Sequence, residues 1–214
     1  MNINHRRVQL VMALRSCGVT DTSVMAVMET IPREMFVPLA LRQHAYKDVA
    51  LPIGYEQTLS QPGVVGIMTQ ALGLTDRMKV LEVGTGSGYQ TVVLARLARR
   101  VYTIERHEPL LKIAECRFRK LRISNITTMC GDGTIGWQEQ TPFDRIIVTA
   151  AALDLPPQLA DQLTIGGVMV VPIGFQSDFQ TILRVVRNQH GLDIEEIRDV
   201  NFVPLITEEV WESA

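Results

Sequence analysis

The sequence contains few of the residues that build disulfide frameworks or structural metal sites. It has three cysteines and four histidines among 214 residues. No two cysteines form a Cys-x-x-Cys pair, and the histidines lie far apart along the chain. We therefore expect no bound metal and no disulfide scaffold. Reduced cysteines are typical of the cytoplasm, which is the expected location of the protein.

Long apolar runs and an excess of charge of one sign are also missing. No stretch reaches the roughly 18 apolar residues that a membrane-spanning helix requires. The 21 lysines and arginines are nearly matched by 23 aspartates and glutamates, so the net charge is -2. Such a balance offers little attraction for nucleic acid or for an anionic membrane. We expect a globular monomer with neither kind of partner.

The larger part of the sequence alternates short apolar runs with amphipathic windows. The apolar runs, each suited to a buried strand, are residues 79–83, 101–104, 126–129, 145–149 and 168–172. The helical windows are residues 64–74, 88–99, 108–121 and 156–163. This alternation predicts an α/β fold with a mostly parallel, doubly wound sheet and helices on both faces. Residues 181–187 and 194–206 should add two C-terminal strands as an antiparallel hairpin.

The first 63 residues follow a different pattern. Apolar residues at helical spacing predict helices over residues 5–17 and 21–30, with Asp21 or Thr22 as the N-cap of the second. Residues 39–63 show little periodicity, and long irregular segments in compact domains are often functional. We therefore divide the chain into an N-terminal helical and lid segment, residues 1–63, and a main domain, residues 64–214.

Residues 79–90, KVLEVGTGSGYQ, join a predicted strand to a predicted helix through three glycines. These are Gly84, Gly86 and Gly88, and residues 84–88 are called the glycine loop. Glycine permits positive φ and lets a ligand approach the backbone closely. A dinucleotide-binding loop reads G-x-G-x-x-G, but its third glycine position is Tyr89 here. The observed G-x-G-x-G after an acidic strand end is the form found in enzymes that bind S-adenosylmethionine.

Two acidic residues follow the next two strands. Glu105 ends VYTIE, 19 residues after Gly86, where a carboxylate can accept both hydroxyl hydrogens of a ribose. Asp132 lies in CGDG after the third strand, where it can accept a hydrogen bond from an adenine amino group. Each could instead be an ordinary solvated or turn residue. Their spacing from the glycine loop favours a role in binding the cofactor.

The end of the fourth predicted strand reads VTAAALDLP, residues 148–156. It lacks the Asn/Asp-Pro-Pro-Tyr/Phe tetrad with which amine methyltransferases hold their target nitrogen. It also lacks a Pro-Cys or Thr-Cys pair for attack on a pyrimidine ring. The methyl acceptor should therefore need little activation, and a carboxylate meets that condition because it is ionised at neutral pH.

Several segments together resemble the protein-L-isoaspartate O-methyltransferase family. They are, in the order expected of that family, IPREMFVP (31–38), LPIGYEQTLSQP (51–62), VLEVGTGSGYQ (80–90), VYTIER (101–106), GDG (131–133), PFDRIIVTAAA (142–152), VVPIG (170–174) and NFVPL (201–205). The resemblance covers nearly the whole chain and implies the Rossmann-like fold of class I S-adenosylmethionine-dependent methyltransferases. One departure is that Thr207 stands one position later than the threonine of compared members.

The resemblance also implies a repair reaction. A methyl group passes from S-adenosyl-L-methionine to the free α-carboxylate of an L-isoaspartyl or D-aspartyl residue in a damaged protein. The products are S-adenosyl-L-homocysteine and an ester, which cyclises to a succinimide and can hydrolyse to normal aspartate. The implied partners are isoaspartyl-containing peptides and proteins.

The resemblance assigns Ser60 as the active-site serine, whose hydroxyl orients the acceptor carboxylate. Without the flanking motifs, the local sequence favours Ser60 as a helix N-cap. The implied cofactor-binding residues are Thr58, Leu59, Gly84, Thr85, Gly86, Ser87, Gly88, Glu105, Arg106, Asp132 and Gly133. The implied substrate-binding residues are Ser60, Gln61, Thr149 and Ala150. The irregular segment 39–63 is expected to close over the cofactor and exclude water.

Three other functions remain open at this point. The protein could methylate another carboxylic acid or an RNA base, although the acidic composition disfavours RNA. It could bind the cofactor as a non-catalytic module, which the presence of Ser60 disfavours. It could also be a nicotinamide oxidoreductase, which Tyr89 in the glycine motif disfavours.

Overall fold

The computed structural model describes residues 3–175 and 180–206 and contains nine strands and six α-helices in those ranges. The strands are β1 (Leu51–Gly54), β2 (Gln57–Leu59), β3 (Lys79–Val83), β4 (Arg100–Glu105), β5 (Ile126–Cys130), β6 (Phe143–Val148), β7 (Leu163–Ile173), β8 (Gln180–Arg187) and β9 (Leu192–Val200). The α-helices are α1 (Ile3–Ser16), α2 (Thr22–Thr30), α3 (Pro62–Leu72), α4 (Tyr89–Leu97), α5 (Glu108–Lys120) and α6 (Pro157–Ala160). Helical turns of the 3₁₀ type occupy Arg33–Phe36, Leu39–His44 and Gln138–Gln140.

Strands β3 to β9 form one sheet in the order β5-β4-β3-β6-β7-β8-β9. The pairs from β5 to β7 are parallel, and β8 is antiparallel to both β7 and β9. The chain therefore moves outward from β3 to β5 and then returns to place β6 beside β3. Such a reversal opens a crevice at the carboxyl ends of the strands. The predicted α/β class, the mostly parallel sheet and the C-terminal antiparallel hairpin are confirmed.

Alternate residues of each strand point to opposite faces of the sheet, and helices cover both faces. On one face, Val80 packs in a buried cluster with Met68 of α3 and Leu94 of α4. On the other face, Leu81 packs in a cluster with Leu159 of α6. The central parallel strands β3, β4 and β6 are therefore mostly buried on both sides, whereas β5 at the edge of the sheet is only half-buried.

The N-terminal helices pack on the main domain through a third apolar cluster. Leu14 of α1, Met28 of α2 and Phe36 join Tyr89 of α4 in this cluster, and each of the four is fully buried. Asp21 caps α2 as predicted, because its Oδ1 accepts the amide hydrogens of Ser23 and Val24 at 2.8 and 3.1 Å. The first 63 residues thus share buried side-chain contacts with the helix that follows the glycine loop.

Several predicted boundaries are wrong in detail. Segment 39–63 is more regular than expected, because it contains a 3₁₀ turn and the antiparallel β1–β2 hairpin. The helix predicted over 156–163 is the short α6, since β7 already begins at Leu163. The last predicted strand ends at Val200, and residues 201–206 leave the sheet. None of the helices in the described ranges has the length and apolar character that crossing a bilayer demands.

Strand β9 forms the outer edge of the sheet beyond β8. Its side chains are exposed from Leu192 to Glu196, and the strand ends in a buried Val200. Charged residues occupy much of this edge, namely Asp193, Glu195, Glu196, Arg198 and Asp199. Glu195 forms a 3.6 Å ion pair with Arg184 of β8.

Candidate active site

A cleft lies at the carboxyl ends of β3, β4 and β6, in the crevice made by the reversal of strand order. It encloses about 920 Å³, including its open mouth. The predicted site residues that line it are Thr58, Leu59, Ser60, Gly84, Thr85, Gly86, Ser87, Glu105, Arg106, Gly133, Thr149 and Ala150. The structure thus brings twelve predicted residues from five chain segments together. The other three, Gln61, Gly88 and Asp132, lie next to lining residues and are not themselves part of the lining.

The glycine loop requires its glycines for different reasons. All three have positive φ, at 97° for Gly84, 51° for Gly86 and 85° for Gly88. A Cβ on Gly84 would lie 2.3 Å from Oγ1 of Thr149, and one on Gly88 would lie 2.7 Å from the Phe118 ring. A Cβ on Gly86 would meet only the tip of Ile53, at 3.5 Å. Gly84 and Gly88 therefore permit close packing, whereas Gly86 keeps the backbone open toward the cleft.

Glu105 is built into the site by two backbone hydrogen bonds. Its Oε2 accepts from the amide of Gly86 at 2.7 Å, and its Oε1 accepts from the amide of His107 at 2.9 Å. The side chain is only 5% exposed but still lines the cleft. Each carboxylate oxygen has two lone pairs, so each keeps one for a ligand hydroxyl. The carboxylate is thus held rigidly beside the glycine loop.

A series of hydrogen bonds between buried polar side chains supports the glycine loop. Oγ1 of Thr85 lies 2.6 Å from Oγ1 of Thr103, which donates to Oε2 of Glu82 at 2.6 Å. Thr91 of α4 donates to the same oxygen at 2.5 Å. Glu82 has no exposed surface, and burial raises its pKa to about 8, although the two hydroxyl donors lower it. The loop is therefore tied to β3, β4 and α4 through one carboxyl group.

Ser60 follows strand β2 and lines the cleft. The N-cap of α3 is Gln61, which makes no side-chain capping bond, so Ser60 is not the cap. Instead, Oδ1 of Asp48 accepts the amide hydrogen of Gly63 in the first turn at 2.7 Å. The Ser60 carbonyl accepts a hydrogen bond from Nη2 of Arg33 at 2.6 Å. The capping alternative for Ser60 is wrong.

Three other predicted residues are held by local hydrogen bonds. Thr149 donates its hydroxyl to the carbonyls of Gly84 and Val83 at 2.6 and 3.0 Å, so it braces the glycine loop. Asp132 accepts from both the amide and the hydroxyl of Thr134 at 2.8 Å, which fixes the turn before Gly133. Nη1 of Arg106 donates to the Ile206 carbonyl at 2.9 Å. Thr207, the departure in the tail, lies outside the described residues.

The cleft also contains residues that the sequence motifs do not indicate. Residues 202–206 line one wall, because Leu205 and Ala151 are joined by a 2.7 Å backbone hydrogen bond from the Leu205 amide. His107 lines the cleft and stacks on Tyr55 of the β1–β2 turn, with ring centroids 5.6 Å apart. Pro204, which cannot continue an edge strand as a hydrogen-bond donor, is the sequence signal that the tail leaves the sheet.

The chemistry of the cleft matches a cofactor with a ribose and a compact charged tail. It offers a carboxylate with free lone pairs, an open glycine backbone and an apolar wall from Val64, Val65 and Met68. No cluster of three or more His, Cys, Asp or Glu side chains suited to a metal ion occurs within the two described ranges.

Comparisons with known proteins agree with this geometry. The family model described as protein-L-isoaspartate(D-aspartate) O-methyltransferase matches residues 5–210. A protein-L-isoaspartate O-methyltransferase of Rhodospirillum centenum is 54% identical over 207 residues, which cover 96% of this chain and 94% of that protein.

Two solved structures are similar over most of the chain. One, a protein-L-isoaspartate O-methyltransferase, has a TM-score of 0.82 at 28% identity, with 94% of this chain and 66% of that chain covered. The other, a Plasmodium falciparum protein of the same description in complex with S-adenosyl-L-homocysteine, has a TM-score of 0.80 at 24% identity. The match covers 92% of this chain and 96% of the Plasmodium falciparum chain, and at this identity it is evidence only for the fold. From the family model and the relative of 54% identity, the chain belongs to the protein-L-isoaspartate(D-aspartate) O-methyltransferase family.

Proposed function

We propose that the cleft performs methyl transfer with Ser60 on the acceptor side and the glycine loop with Glu105 on the cofactor side. Membership of the family makes the chain an S-adenosylmethionine-dependent methyltransferase that acts on isoaspartyl residues. The assignment of single residues within that reaction is the proposal. The observation that carries it is that Ser60 and Glu105, which come from separate chain segments, line the same cleft.

Bound S-adenosylmethionine supplies an electrophilic methyl group on a positive sulfur. We assign its ribose to Glu105, whose two oxygens each retain a lone pair. The open backbone at Gly86 and the neighbouring Thr85 and Ser87 would hold the amino-acid portion. Further contacts are assigned to Thr58, Leu59, Gly84, Arg106 and Gly133 in the lining, with Gly88 and Asp132 shaping the loops behind them.

The acceptor α-carboxylate is assigned to Ser60. Arg33 contacts the carbonyl of this residue, so the hydroxyl remains available to donate to a carboxylate oxygen. Thr149 and Ala150 of the lining, with Gln61 next to Ser60 in the chain, complete the proposed acceptor side. Because its own hydrogen is directed at the Gly84 carbonyl, Thr149 would accept a hydrogen bond from a peptide N–H of the substrate and would not bind the carboxylate itself.

These residues promote methyl transfer by positioning the two reactants. An ionised carboxylate needs no general base, so the protein must align an oxygen with the methyl group at close range. Proximity and alignment of this kind can lower a barrier by about 7–11 kcal/mol. A neutralising reaction between opposite charges is favoured by a dry site. We propose that the β1–β2 hairpin acts as the lid, since Ile53 and Tyr55 lie over Gly86 and His107.

We also propose the domain organisation, the oligomeric state and the cellular location of the protein. We propose an N-terminal helical and lid segment over residues 1–63 and a methyltransferase domain over 64–214. The protein would act as a monomer in the cytoplasm, on isoaspartyl-containing proteins, without a nucleic-acid or membrane partner. The net charge of -2 supports the last point. A dimeric mass in sedimentation equilibrium would contradict the monomer.

Two peptides that differ only in an aspartyl or an isoaspartyl linkage provide the direct test. Each is incubated with the protein and methyl-labelled S-adenosylmethionine, and base-labile methyl ester is counted. Label should enter the isoaspartyl peptide alone, and Ser60→Ala should lower kcat/KM by about 100-fold, the scale of one lost charge-assisted contact to the reacting group. Equal labelling of both peptides would refute the acceptor. An unimpaired Ser60→Ala would refute the role of the serine.

A further inference from the structure

Arg33 is a buried cation that forms no ion pair with a carboxylate of the described residues. Its side chain is fully buried, and no ion pair to Arg33 occurs among the residues that the structure describes. Its Nε donates to the Ala45 carbonyl at 2.7 Å and its Nη2 to the Ser60 carbonyl at 2.6 Å. Burial lowers the pKa of the guanidinium, which reflects the cost of placing this charge in the interior. An apolar residue at this position would avoid that cost but could not donate hydrogen bonds to the two backbone carbonyls.

Arg33 is also one end of a column of side-chain contacts formed by Arg33, Tyr89, Phe36 and Arg117. Its Cζ lies 4.6 Å from the centroid of the Tyr89 ring, and that ring meets Phe36 edge-on at 5.3 Å. Cζ of Arg117 in turn lies 5.6 Å from the centroid of the Phe36 ring. Nη1 of Arg117 then donates to the Ser87 carbonyl at 2.7 Å. The column therefore begins at the carbonyl of Ser60 and ends at a carbonyl of the glycine loop.

The column links the two sides of the cleft through rigid parts. Cation–π and edge-to-face contacts restrict both position and angle. The backbone after Ser60 is held a second time, because the Gly63 amide donates to Asp48. Ser60 is thus fixed between Arg33 and the first turn of α3 by hydrogen bonds in which its hydroxyl takes no part.

We propose that Arg33 is a positioning residue for Ser60: it holds the serine backbone in register with the glycine loop, so that the serine hydroxyl and the methyl donor meet at reacting distance. This inference rests on the role proposed for Ser60. Arg33 itself does not touch the substrate, and its effect on the reaction passes through the Ser60 carbonyl. The planar fork of arginine suits two carbonyls from separate segments, whereas lysine presents one compact ammonium group.

A double-mutant cycle separates positioning from a purely structural role. The variants are Arg33→Lys, Ser60→Ala and their combination, with Met28→Ala as a control that loosens the same buried cluster without a polar contact. Each is assayed for kcat, for KM of the isoaspartyl peptide and for Kd of S-adenosylhomocysteine, at a temperature where circular dichroism shows it folded. Arg33→Gln, which keeps N–H donors, replaces the lysine variant if that protein does not fold.

We expect Arg33→Lys to lower kcat by about 10-fold or more, since small misplacements of reacting groups are costly. The Kd of S-adenosylhomocysteine should change by less than about 3-fold, and Met28→Ala should keep its kcat within about 2-fold. Added to Ser60→Ala, Arg33→Lys should cause a further loss of no more than about 2-fold, because the two act as one unit. If the activity of Ser60→Ala is below detection, the kcat of Arg33→Lys is compared with that of Met28→Ala alone, and this comparison decides whether Arg33 is a positioning residue.

Three results would overturn the inference. They are a kcat of Arg33→Lys within about 2-fold of wild type, an equal loss in Met28→Ala, and a loss that multiplies fully in the Ser60→Ala background. An inactive Ser60→Ala beside a fully active Arg33→Lys removes the inference and leaves the role of the serine intact. A fully active Ser60→Ala removes the proposed role of the serine and, with it, the inference.

Discussion

Replacement of Glu82 by glutamine should make the free energy of unfolding less dependent on pH. Glu82 is fully buried, its Oε2 accepts from Thr91 and Thr103, and its Oε1 has no partner within the described part of the chain. Burial is the main cause that raises its pKa from 4.5 to about 8, and the charge of Glu105 acts in the same direction. Glu82 is therefore mostly protonated in the folded protein at neutral pH.

The direction of the effect follows from proton binding. Between pH 4.5 and about 8 the folded state holds a proton on Glu82 that the unfolded state has released. The stability contributed by this group is complete below the unfolded pKa and is lost as the pH rises through the folded pKa. Each pH unit in that window costs about 1.4 kcal/mol, so the total is about 5 kcal/mol. Glutamine does not titrate and shows no such loss.

Urea unfolding of wild type and Glu82→Gln at several pH values measures this difference. Between about pH 5 and pH 8 the variant should gain about 4 kcal/mol relative to wild type, and above that the difference should level off. Glu139→Gln, at an exposed carboxylate, controls for the loss of an acid. The reasoning is refuted if the Glu82→Gln difference changes by less than about 1 kcal/mol, or if Glu139→Gln follows the same trend.

Two further predictions concern the cofactor. Glu105→Gln should raise the Kd of S-adenosylhomocysteine about 10- to 100-fold in calorimetry. The two oxygens of Glu105 accept hydrogen bonds from two backbone amides, and in glutamine one of these amides would face an NH₂ group instead. A change below about 3-fold would contradict the ribose assignment. The double variant Ile53→Ala, Tyr55→Ala should speed dissociation of S-adenosylhomocysteine about 10-fold in stopped flow, since it removes apolar cover from Gly86 and His107. An unchanged dissociation rate would rule out the lid.

The central sheet was predictable because its signals are local. Strand β3 has the predicted bounds, and β4 and β5 extend the predicted runs by a residue or two. A buried parallel strand is mostly apolar, which makes it visible in a short window. The start of β7 was not visible, because Gly166 and Gly167 lie within the strand and interrupt its apolar pattern.

The site was predictable where a motif is contiguous and not where it depends on distant pairing. The glycine loop and Glu105 are read from one strand–loop–strand stretch. The wall formed by residues 202–206 depends on hydrogen bonds to Ala151, more than fifty residues earlier in the chain. Arg33 is separated by 27 residues from Ser60. Arg33 stands beside Glu34 in the segment IPREMFVP, so the local sequence does not show that Arg33 is buried, and its partners are set only by the folded chain.

The charged outer strand β9 has a consequence for an enzyme whose substrates are damaged polypeptides. Partly unfolded chains expose strands with free backbone groups, and an open sheet edge is a template for such strands. On β9 the acidic side chains of Asp193, Glu195 and Glu196 stand along that edge. A client chain that tried to extend the sheet there would have to desolvate these carboxylates. The edge therefore discourages co-aggregation with clients and leaves the cleft as the productive place of contact.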